Sequence, residues 1–550
     1  MSNKNPYIMK TILIILSSLF SFLSIAQNPP ILWQKNIGGS GSDGLARLEI
    51  PNSTDYFLIG GSSSDISGDK TEDSRGFNDI WILRMDQNHT ILWDKTIGGD
   101  STESTINSLI KDSKLYILCT SNSSISGEKT IAPFNTDGSP DLWLLCLDLN
   151  GTVLWQNQYG GTEYDGYAVN HMIELTNGNI LFGTTSDSGI SGNKTEASNG
   201  NLDYWVVEIS STDGSIINQN TIGSASPDHI RQLYLSPNNT VIITGKADEG
   251  INGDKTDNGF GLNDVWIVEI DMNLNVLQDK CFGGSGSEGF FGGSINFIDG
   301  YYYIITSSMS IISGNKTAPY MGNSGPFPAF DYWLIKTDTN FNIIWDKTYG
   351  GLHEDNGGGI AYLSYNRLLL NGSSSSVPGG NKTALKYGGL DAWLLIIDTL
   401  GDIIAQETYG GDQDDYITPS PTSTNGVFYM SGNSLSGISG NKTVPTNGGW
   451  DAWLMEIDAS GFLNTESIEG VQTTISVYPN PSNGKVNLKF NDLEEDVYIT
   501  FYTVEGRIIM EDKIISNSIH KSYDLSTVNQ VVFYQVKGER INHSGRIVVK

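Results

Sequence analysis

The pattern Asp-x-Trp recurs seven times along this chain of 550 residues. Its aspartates are Asp79, Asp141, Asp203, Asp264, Asp331, Asp391 and Asp451. Successive copies lie 60 to 67 residues apart. Because a nearly constant period is the signature of a repeat architecture, the chain is expected to consist of equivalent units that bury their apolar faces against one another.

Two further signals recur in the same order. A Gly-[Asp/Glu/Asn]-Lys-Thr loop precedes each Asp-x-Trp, and its lysines are Lys70, Lys129, Lys194, Lys255, Lys316, Lys382 and Lys442. An acidic residue opens each unit after a β-rich segment, and these acids are Asp43, Glu103, Asp165, Asp228, Glu288, Asp355 and Asp415. Three separate signals therefore count the same seven units.

Each unit contains four runs of β-rich residues. In the fourth unit these runs are residues 230–235, 240–244, 264–270 and 276–282. Four short strands per unit are typical of a propeller blade. Residues 27–460 are therefore predicted to form a seven-bladed β-propeller of the all-β class.

The repeat region begins with one extra strand and ends with one strand missing. A lone β-rich run, Ile31–Ile37, precedes the first unit, and the last unit ends on its third run, Asp451–Asp458. A ring has no open sheet edge when the first run completes the last blade, so we expect these two runs to pair. Residues 462–468 compete for the same place but lack the Lys and the Gly-Gly of the other fourth strands.

The repeated charged residues are expected to meet at one end of the blades, because alternate connections of an up-and-down sheet lie on the same side. Two interpretations stay open there. The acid, the lysine and the aspartate of each unit fix the loops as a structural lock, or they form seven equivalent cation or ligand sites. Charged groups bonded to backbone amides would hold a Gly-rich loop in every duplicated unit, which favours the lock. The tryptophans are likewise expected to pack between blades rather than to form a sugar platform.

The charge balance limits the partners. The chain has 62 acidic and 32 basic residues, a net charge of −30. The negative electrostatic field of such a chain disfavours binding to nucleic acid and to anionic lipid. No cofactor is predicted; the metal content is left open, and calcium is the cation that the acidic loops would hold.

Asymmetric loops are the candidate binding region, because a specific site needs features that identical units do not supply. The loops at residues 131–140 and 318–330 are longer than their counterparts. The second of these adds aromatic and thioether side chains suited to a glycan or protein ligand, namely Tyr320, Met321, Phe327 and Phe330.

No catalytic arrangement is identified. The six histidines include no pair at zinc-ligand spacing, and the chain has neither a Gly-x-Ser-x-Gly elbow nor a phosphate-binding loop. Cys119, Cys146 and Cys281 are interpreted as free thiols, with a Cys119–Cys146 disulfide as the alternative.

A non-enzymatic binding module is favoured as the function of the chain. The alternatives are a polysaccharide-active or other hydrolytic propeller that uses paired carboxylates of the loop face, for which Glu354 and Asp355 are candidates, and a structural spacer.

The first 26 residues predict a secretory signal peptide. Two lysines precede a short apolar run that ends in Ser24-Ile25-Ala26, a small-x-small cleavage pattern. The apolar run is short for a spanning helix, so no membrane span is predicted.

After the repeats, residues 461–473 are interpreted as a linker.

Residues 474–550 carry a different pattern. Alternating β-rich runs predict a small β-sandwich. The segment opens on Tyr-Pro-Asn-Pro and ends on a basic run, and its marked residues are Pro479, Asn480, Pro481, Gly484 and Lys550. This segment resembles the type A C-terminal sorting domain of the Bacteroidota type IX secretion system. The resemblance implies export to the periplasm, passage through an outer-membrane translocon, tag removal by that machinery, and a secreted or cell-surface location.

Overall fold

The computed structural model divides the chain into two compact units, residues up to Leu463 and Asn464–Lys550. It describes residues 28–50, 55–135, 138–322, 328–364, 366–418, 423–424, 426–463, 475–479, 481–490, 493, 495–503, 507–516, 518–526, 528, 531–538 and 542–549. The predicted signal peptide and most of the predicted linker lie outside these residues. Across the described ranges the chain is β-strand, turn and loop apart from one short helix, α1 (Ser460–Leu463), which confirms the all-β class.

The described part of the first unit contains seven antiparallel sheets, and in six of them four strands pair in chain order. The first strand of the chain, β1 (Ile31–Ile37), belongs to the last sheet. Sheet 1 comprises β2 (Asp43–Glu49), β3 (Asp55–Ser62), β4 (Asp79–Asp86) and β5 (Ile91–Ile97). Sheet 2 comprises β6 (Glu103–Lys111), β7 (Lys114–Ser121), β8 (Asp141–Asp148) and β9 (Val153–Tyr159). Sheet 3 comprises β10 (Asp165–Glu174), β11 (Ile180–Ser186), β12 (Asp203–Ile209) and β13 (Ile216–Ile222).

The remaining sheets repeat the arrangement. Sheet 4 comprises β14 (His229–Leu235), β15 (Val241–Asp248), β16 (Asn263–Ile270) and β17 (Val276–Phe282). Sheet 5 comprises β18 (Glu288–Ile298), β19 (Tyr301–Ser308), β20 (Asp331–Thr337) and β21 (Ile343–Tyr349). Sheet 6 comprises β22 (Asp355–Ser364), β23 (Arg367–Ser374), β24 (Asp391–Asp398) and β25 (Ile403–Tyr409). Sheet 7 comprises β26 (Asp415–Thr418), β27 (Ser423–Thr424), β28 (Val427–Ser434), β29 (Asp451–Asp458) and β1.

The sheets pack face to face. Every residue of β12 is buried, because both faces of a middle strand meet apolar side chains. The first strands of consecutive sheets also contact each other, from β2 and β6 through β18 and β22, and β26 contacts β2. The first strands therefore lie inside and the fourth strands outside.

The repeated tryptophans fill the space between sheets. All seven are at most 1% exposed. Trp143 of sheet 2, for example, packs in one apolar cluster with Phe57 and Ile80 of sheet 1. Each indole N–H also donates to a side chain of its own fourth strand, as Trp266 does to Asp279 at 2.9 Å. The tryptophans thus combine packing between sheets with a satisfied polar edge.

The first strand closes the last sheet. β1 pairs antiparallel with β29, with Ile37 opposite Ala452, which confirms the pairing expected from the sequence. Phe462, at the start of the competing segment, lies in α1 instead. The same sheet thus joins residues more than 400 positions apart, such as Gln34 and Trp453, whose side chains are hydrogen-bonded at 3.1 Å.

The second unit contains two antiparallel sheets among its described residues. One pairs β30 (Ile475–Tyr478), β31 (Lys485–Phe490) and β34 (His520–Asp524). The other pairs β33 (Ile508–Ile514), β32 (Val497–Tyr502), β35 (Val531–Lys537) and β36 (Asn542–Val548). One apolar cluster contains residues of both sheets, including Leu488, Ile499 and Val536.

Candidate binding site

The seven repeated lysines are buried, each at most 2% exposed. Their ammonium groups donate to groups of the surrounding loops. Lys129 Nζ, for example, donates to the Ser123 carbonyl at 2.7 Å, and Lys442 Nζ to the Ser436 carbonyl at 2.6 Å. Lys382 Nζ also lies 5.2 Å from the ring centre of Trp393. These charges are held inside the protein rather than offered to solvent.

The acid that opens each unit caps the preceding loop. Asp355 accepts a hydrogen bond from Gly351 N at 2.7 Å and another from Ser376 Oγ at 2.8 Å. Equivalent bonds from the backbone N–H four residues earlier reach Asp43, Glu103, Asp165, Asp228, Glu288 and Asp415. All seven acids are fully buried. Glu354, beside Asp355, accepts from Asn356 Nδ2 at 3.2 Å.

The aspartate of each Asp-x-Trp pattern organises the long loop before it. Asp264 accepts from Phe260 N at 2.6 Å, and Asp391 accepts from Tyr387 N at 2.8 Å. The loops that carry the lysines also bond to the acidic loops, as in Asn381 N to the Gly350 carbonyl at 3.2 Å. The two kinds of loop therefore lie at the same end of the sheets, as expected.

The repeated lysines lie close to carboxyl groups, and carboxyl groups of neighbouring sheets lie close to one another. Lys316 lies within electrostatic range of both Glu288 and Asp331 of sheet 5. Asp331 in turn faces Asp355 of sheet 6. The same carboxyl pairs join other neighbouring sheets, namely Asp141–Asp165, Asp203–Asp228, Asp264–Glu288, Asp391–Asp415 and Asp451–Asp43.

Burial disfavours ionisation of these carboxyl groups. It raises the pKa to about 7 for Asp228, Asp264 and Asp331, and to about 6 for Asp141 and Asp391. A carboxyl group of an adjacent sheet adds to the shift in each case. Within the residues that the structure describes, no group of three or more His, Cys, Asp or Glu side chains is arranged to hold a metal ion.

The predicted binding loop of unit 5 is partly engaged in this network. Met321 N donates to Asp331 at 2.8 Å, the role that Phe260 N has in sheet 4. Tyr320 Oη donates to the Ala329 carbonyl at 2.8 Å and closes the inserted loop on itself. Phe330 is half-buried directly before Asp331, and Phe327 lies outside the described residues. The structure thus places three of the four residues in one loop.

A groove of about 300 Å³ lies where sheet 7 meets sheets 1 and 2. Its lining includes Trp450, Asn433, Asn78, Ser104 and Thr105. The Trp450 carbonyl accepts a hydrogen bond from Asp43 N at 2.5 Å, which fixes the groove at this junction.

Trp450 lines the groove and packs against Tyr416, and the neighbouring Asn433 carries a polar atom without a hydrogen-bond partner among the described residues. The rings of Trp450 and Tyr416 lie 5.4 Å apart between centres. Asn433 Oδ1 is buried and has no hydrogen-bond partner among the described residues. Asn433 stands directly opposite Tyr416 in the β26–β28 pair. Apolar ring faces next to amide and hydroxyl groups suit a sugar or another polyol.

The groove was not predicted from the sequence, although two repeat positions indicate it. Trp450 occupies the position directly before the aspartate of Asp-x-Trp, where the other units carry Asn78, Pro140, Leu202, Asn263, Phe330 and Leu390. Tyr416 occupies the position directly after the opening acid. Comparing these two positions between units would have selected unit 7.

The three free cysteines and the sorting residues complete the predicted set. Cys119, Cys146 and Cys281 are buried and free, and burial raises the pKa of each thiol, which matches the interpretation as free thiols.

Among the predicted sorting residues, Gly484 has a φ of +102°, and its carbonyl accepts a hydrogen bond from Leu525 N at 2.6 Å. Pro479 and Pro481 flank Asn480, which lies outside the described residues together with Lys550.

The second unit has a family match. Residues 476–550 match the family described as "Secretion system C-terminal sorting domain". This match marks a sorting signal of the type IX secretion system. The signal implies interaction with that machinery and export to a secreted or cell-surface location. Among the described residues, no helix has the length and apolar character needed to cross a membrane.

The chain also matches part of a curated protein. The chain is 26% identical to the regulatory protein FlaEY of Caulobacter vibrioides over 176 residues, which make up 30% of this chain and 18% of that protein. It therefore spans less than a fifth of the length of this curated relative.

The solved structures that this chain matches share little sequence with it. The hydrazine synthase of Kuenenia stuttgartiensis is 9% identical, with 73% of this chain and 94% of that chain covered and a TM-score of 0.38. A mutant apocarotenoid oxygenase of Synechocystis is 9% identical, with 91% and 97% covered and a TM-score of 0.35. Scores this low carry no inference about activity.

Proposed function

We propose that the first unit is a seven-bladed β-propeller that binds a saccharide outside the cell without catalysing its conversion, and that the second unit is a small β-sandwich that directs its export. Seven antiparallel sheets, six of them with sequential strand order, support the blade count. The contact between β26 and β2 and the pairing of β1 with β29 support a closed ring.

The groove between sheets 7 and 1 carries the functional part of the proposal. The buried, unpartnered Asn433 Oδ1 lies next to the aromatic pair Tyr416 and Trp450. A buried acceptor without a donor is costly unless a ligand or water supplies one. The Asn433 amide lines the groove, where a sugar hydroxyl would bond to it while a ring C–H face rests on the indole.

The repeated charges support binding over catalysis. The carboxyl groups of the loop end accept hydrogen bonds from their own loops and are fully buried. A hydrolase would need carboxyl groups that reach the substrate. Apart from the buried Asp43, the side chains that line the groove are aromatic, amide and hydroxyl groups.

Replacing Trp450 with alanine is expected to weaken saccharide binding at least about tenfold, or ~1.4 kcal/mol, because Trp450 is the aromatic residue among the side chains that line the groove. The purified full chain would first be screened on a glycan array. The affinity of the variant would then be measured by calorimetry for the best-bound glycan.

Leu390→Ala is the matched control. Leu390 occupies the same repeat position in unit 6, outside the groove. Unchanged binding by Leu390→Ala with a loss for Trp450→Ala would support the proposal. Equal affinities of Trp450→Ala and the natural chain, or turnover of the glycan in place of stable binding, would refute it.

A further inference from the structure

Four outer strands carry a tryptophan at their third position, and a glycine turn of the next sheet covers three of these indoles. The covered tryptophans and their glycines are Trp93 with Gly151, Trp155 with Gly214 and Trp345 with Gly401. A Cβ added to any of the three glycines would lie 2.7 to 3.2 Å from a carbon of the indole, so the turn backbone rests directly on the ring. Nε1 of all three tryptophans is buried. These junctions are thus closed over the indole N–H.

The fourth tryptophan, Trp33 of β1, is covered by a side chain instead. The turn of sheet 1 that faces it carries His89, a non-glycine residue with a φ of +63°. The imidazole stacks on the indole, with 3.7 Å between ring centres and 17° between ring planes. Glu456 lies 3.8 Å from Nε2 of the imidazole, and Tyr56 O–H donates to Nδ1 at 2.9 Å. The imidazole is therefore held in place from both of its nitrogens.

Elsewhere a large turn residue faces an outer strand without the tryptophan. Leu274 lies in the corresponding turn of sheet 4, and its carbonyl accepts a hydrogen bond from Asn220 Nδ2 of β13 at 2.7 Å. The third position of β13 is Asn218. Trp33 and His89 therefore bring together two large rings where these other junctions have one.

A groove of about 520 Å³, here called the outer groove, lies beside the two rings. It is lined by β1, by the turn that carries His89, and by the lysine loops of sheets 1 and 7. Its polar lining residues include Lys35, Asn36, Asp69, Asn88 and Asn447. The outer groove and the groove at Trp450 have no lining residue in common. They are therefore separate depressions at the junction of sheets 7 and 1.

The charged groups of the outer groove compensate one another. Lys35 Nζ lies 3.6 Å from the Asp69 carboxylate. Asp69 also accepts a hydrogen bond from Gly38 N at 3.3 Å, which fixes its position. Burial lowers the pKa of His89 below its ordinary value of 6.5, although Glu456 opposes this shift, so the imidazole is uncharged at neutral pH. The outer groove thus offers hydrogen-bonding groups without net charge, which favours a neutral ligand.

Amide groups add donors and acceptors to this lining. Asn88 and Asn447 are exposed. Asn36 Nδ2 donates to Asp451 at 2.7 Å, whereas Asn36 Oδ1 is buried and has no hydrogen-bond partner among the described residues. A buried acceptor without a donor is costly unless a ligand or water supplies one.

We propose that the outer groove is a second saccharide site, in which a neutral sugar ring packs against Trp33 and His89 while its hydroxyl groups bond to the amides and to the Lys35–Asp69 pair. Aromatic rings beside a few polar groups suit such a ligand. This inference rests on the saccharide binding proposed above and adds a second point of attachment. Two sites on one chain would hold a polymer more tightly than either site alone.

Calorimetric titration of the full chain with neutral trisaccharides of glucose, xylose, mannose and N-acetylglucosamine tests the outer groove. Short probes are used so that each binding event reports one groove. We expect two binding events per chain for at least one probe. Trp33→Ala should weaken one event at least about tenfold and leave the other unchanged, and Trp450→Ala should do the reverse.

Trp93→Ala is the matched control, because Trp93 has the same strand position but lies under a glycine turn, and both events should remain. Lys35→Met is a second variant, which should weaken the outer event at least about fivefold because it removes a charged hydrogen-bond donor. Lys95→Met, at the same position of β5, should leave both events unchanged. Unfolding midpoints of all variants would be measured in parallel to establish that they fold.

The outcomes separate the two sites. A single event that Trp450→Ala abolishes and that Trp33→Ala and Lys35→Met leave unchanged would overturn the outer site and keep the proposed function. A single event with the opposite dependence would support the outer site and refute the groove at Trp450. Absence of binding to all four probes would overturn both.

Discussion

Replacing Gly440 with alanine is expected to lower the free energy of unfolding by at least about 2 kcal/mol, because the position is left-handed and has no room for a side chain. Gly440 has a φ of +57°, and an added Cβ would lie 2.2 Å from the Gly410 carbonyl oxygen. That carbonyl accepts a hydrogen bond from Asn441 N at 3.1 Å, so it is not free to move away. Denaturant unfolding followed by fluorescence would measure the change.

Gly437→Ala is the control within the same loop. A Cβ at Gly437 would meet no atom within 4 Å, so the expected change is within about 0.5 kcal/mol. The glycine that requires a positive φ recurs in every unit, with φ between +54° and +58° at Gly68, Gly127, Gly192, Gly253, Gly314, Gly380 and Gly440. Equal stabilities of the two variants would show that this loop geometry is not needed.

Replacing Lys382 with methionine is expected to cost about 3–5 kcal/mol at pH 7, because it removes one partner from a buried set of charges. Lys382 is 2% exposed and faces Asp355 and Asp391, and its Nζ donates to Thr408 Oγ1 at 3.0 Å. Burial lowers the pKa of Lys382 to about 8, so the side chain is still charged at pH 7. Lys347→Met, at a half-exposed ion pair, should cost less than about 1 kcal/mol.

The cost of Lys382→Met should decrease at pH 5. Burial raises the pKa of Asp391 to about 6, above its ordinary value of 3.8. A carboxyl group of this kind binds its proton more tightly in the folded state, so its ionisation removes stability as the pH rises from about 4 through 6. At pH 5 Asp391 is protonated and the missing ammonium group matters less. Unfolding curves of both chains at pH 5 and 7 would measure this, and a larger loss at pH 5 would contradict the assignment.

The repeat could be predicted from sequence because each repeated acid, lysine and tryptophan has its partner inside its own unit or the next. Lys442 binds a carbonyl of its own loop, Asp415 caps the loop four residues earlier, and Trp453 packs between sheets. Such short-range roles impose the same residue at the same spacing in every copy. The pairing of β1 with β29 could also be predicted, because the last unit ends on its third strand and β1 supplies the fourth.

Loop length did not indicate the groove at Trp450 and Tyr416, because single substitutions at two repeat positions bring these rings together without an insertion. Period-2 patterning likewise does not reveal the bulge at Arg231, which shifts the register of β14. The loop with Tyr320 misled the sequence analysis in another way. Its Met321 caps Asp331 from ten residues away, whereas Phe260 caps Asp264 from four, so the insertion hid a repeated structural role.

The thermal unfolding midpoint in millimolar calcium and in a chelator tests most directly whether the repeated acids serve the fold. A ligand that binds only the native state at a hundred times its dissociation constant adds about 2.7 kcal/mol. If the buried carboxyl groups are internal locks, the midpoint should be the same in calcium, in chelator and in sodium chloride of equal ionic strength. A midpoint that rises by several degrees in calcium and returns on chelation would show that these carboxyl groups form cation sites instead.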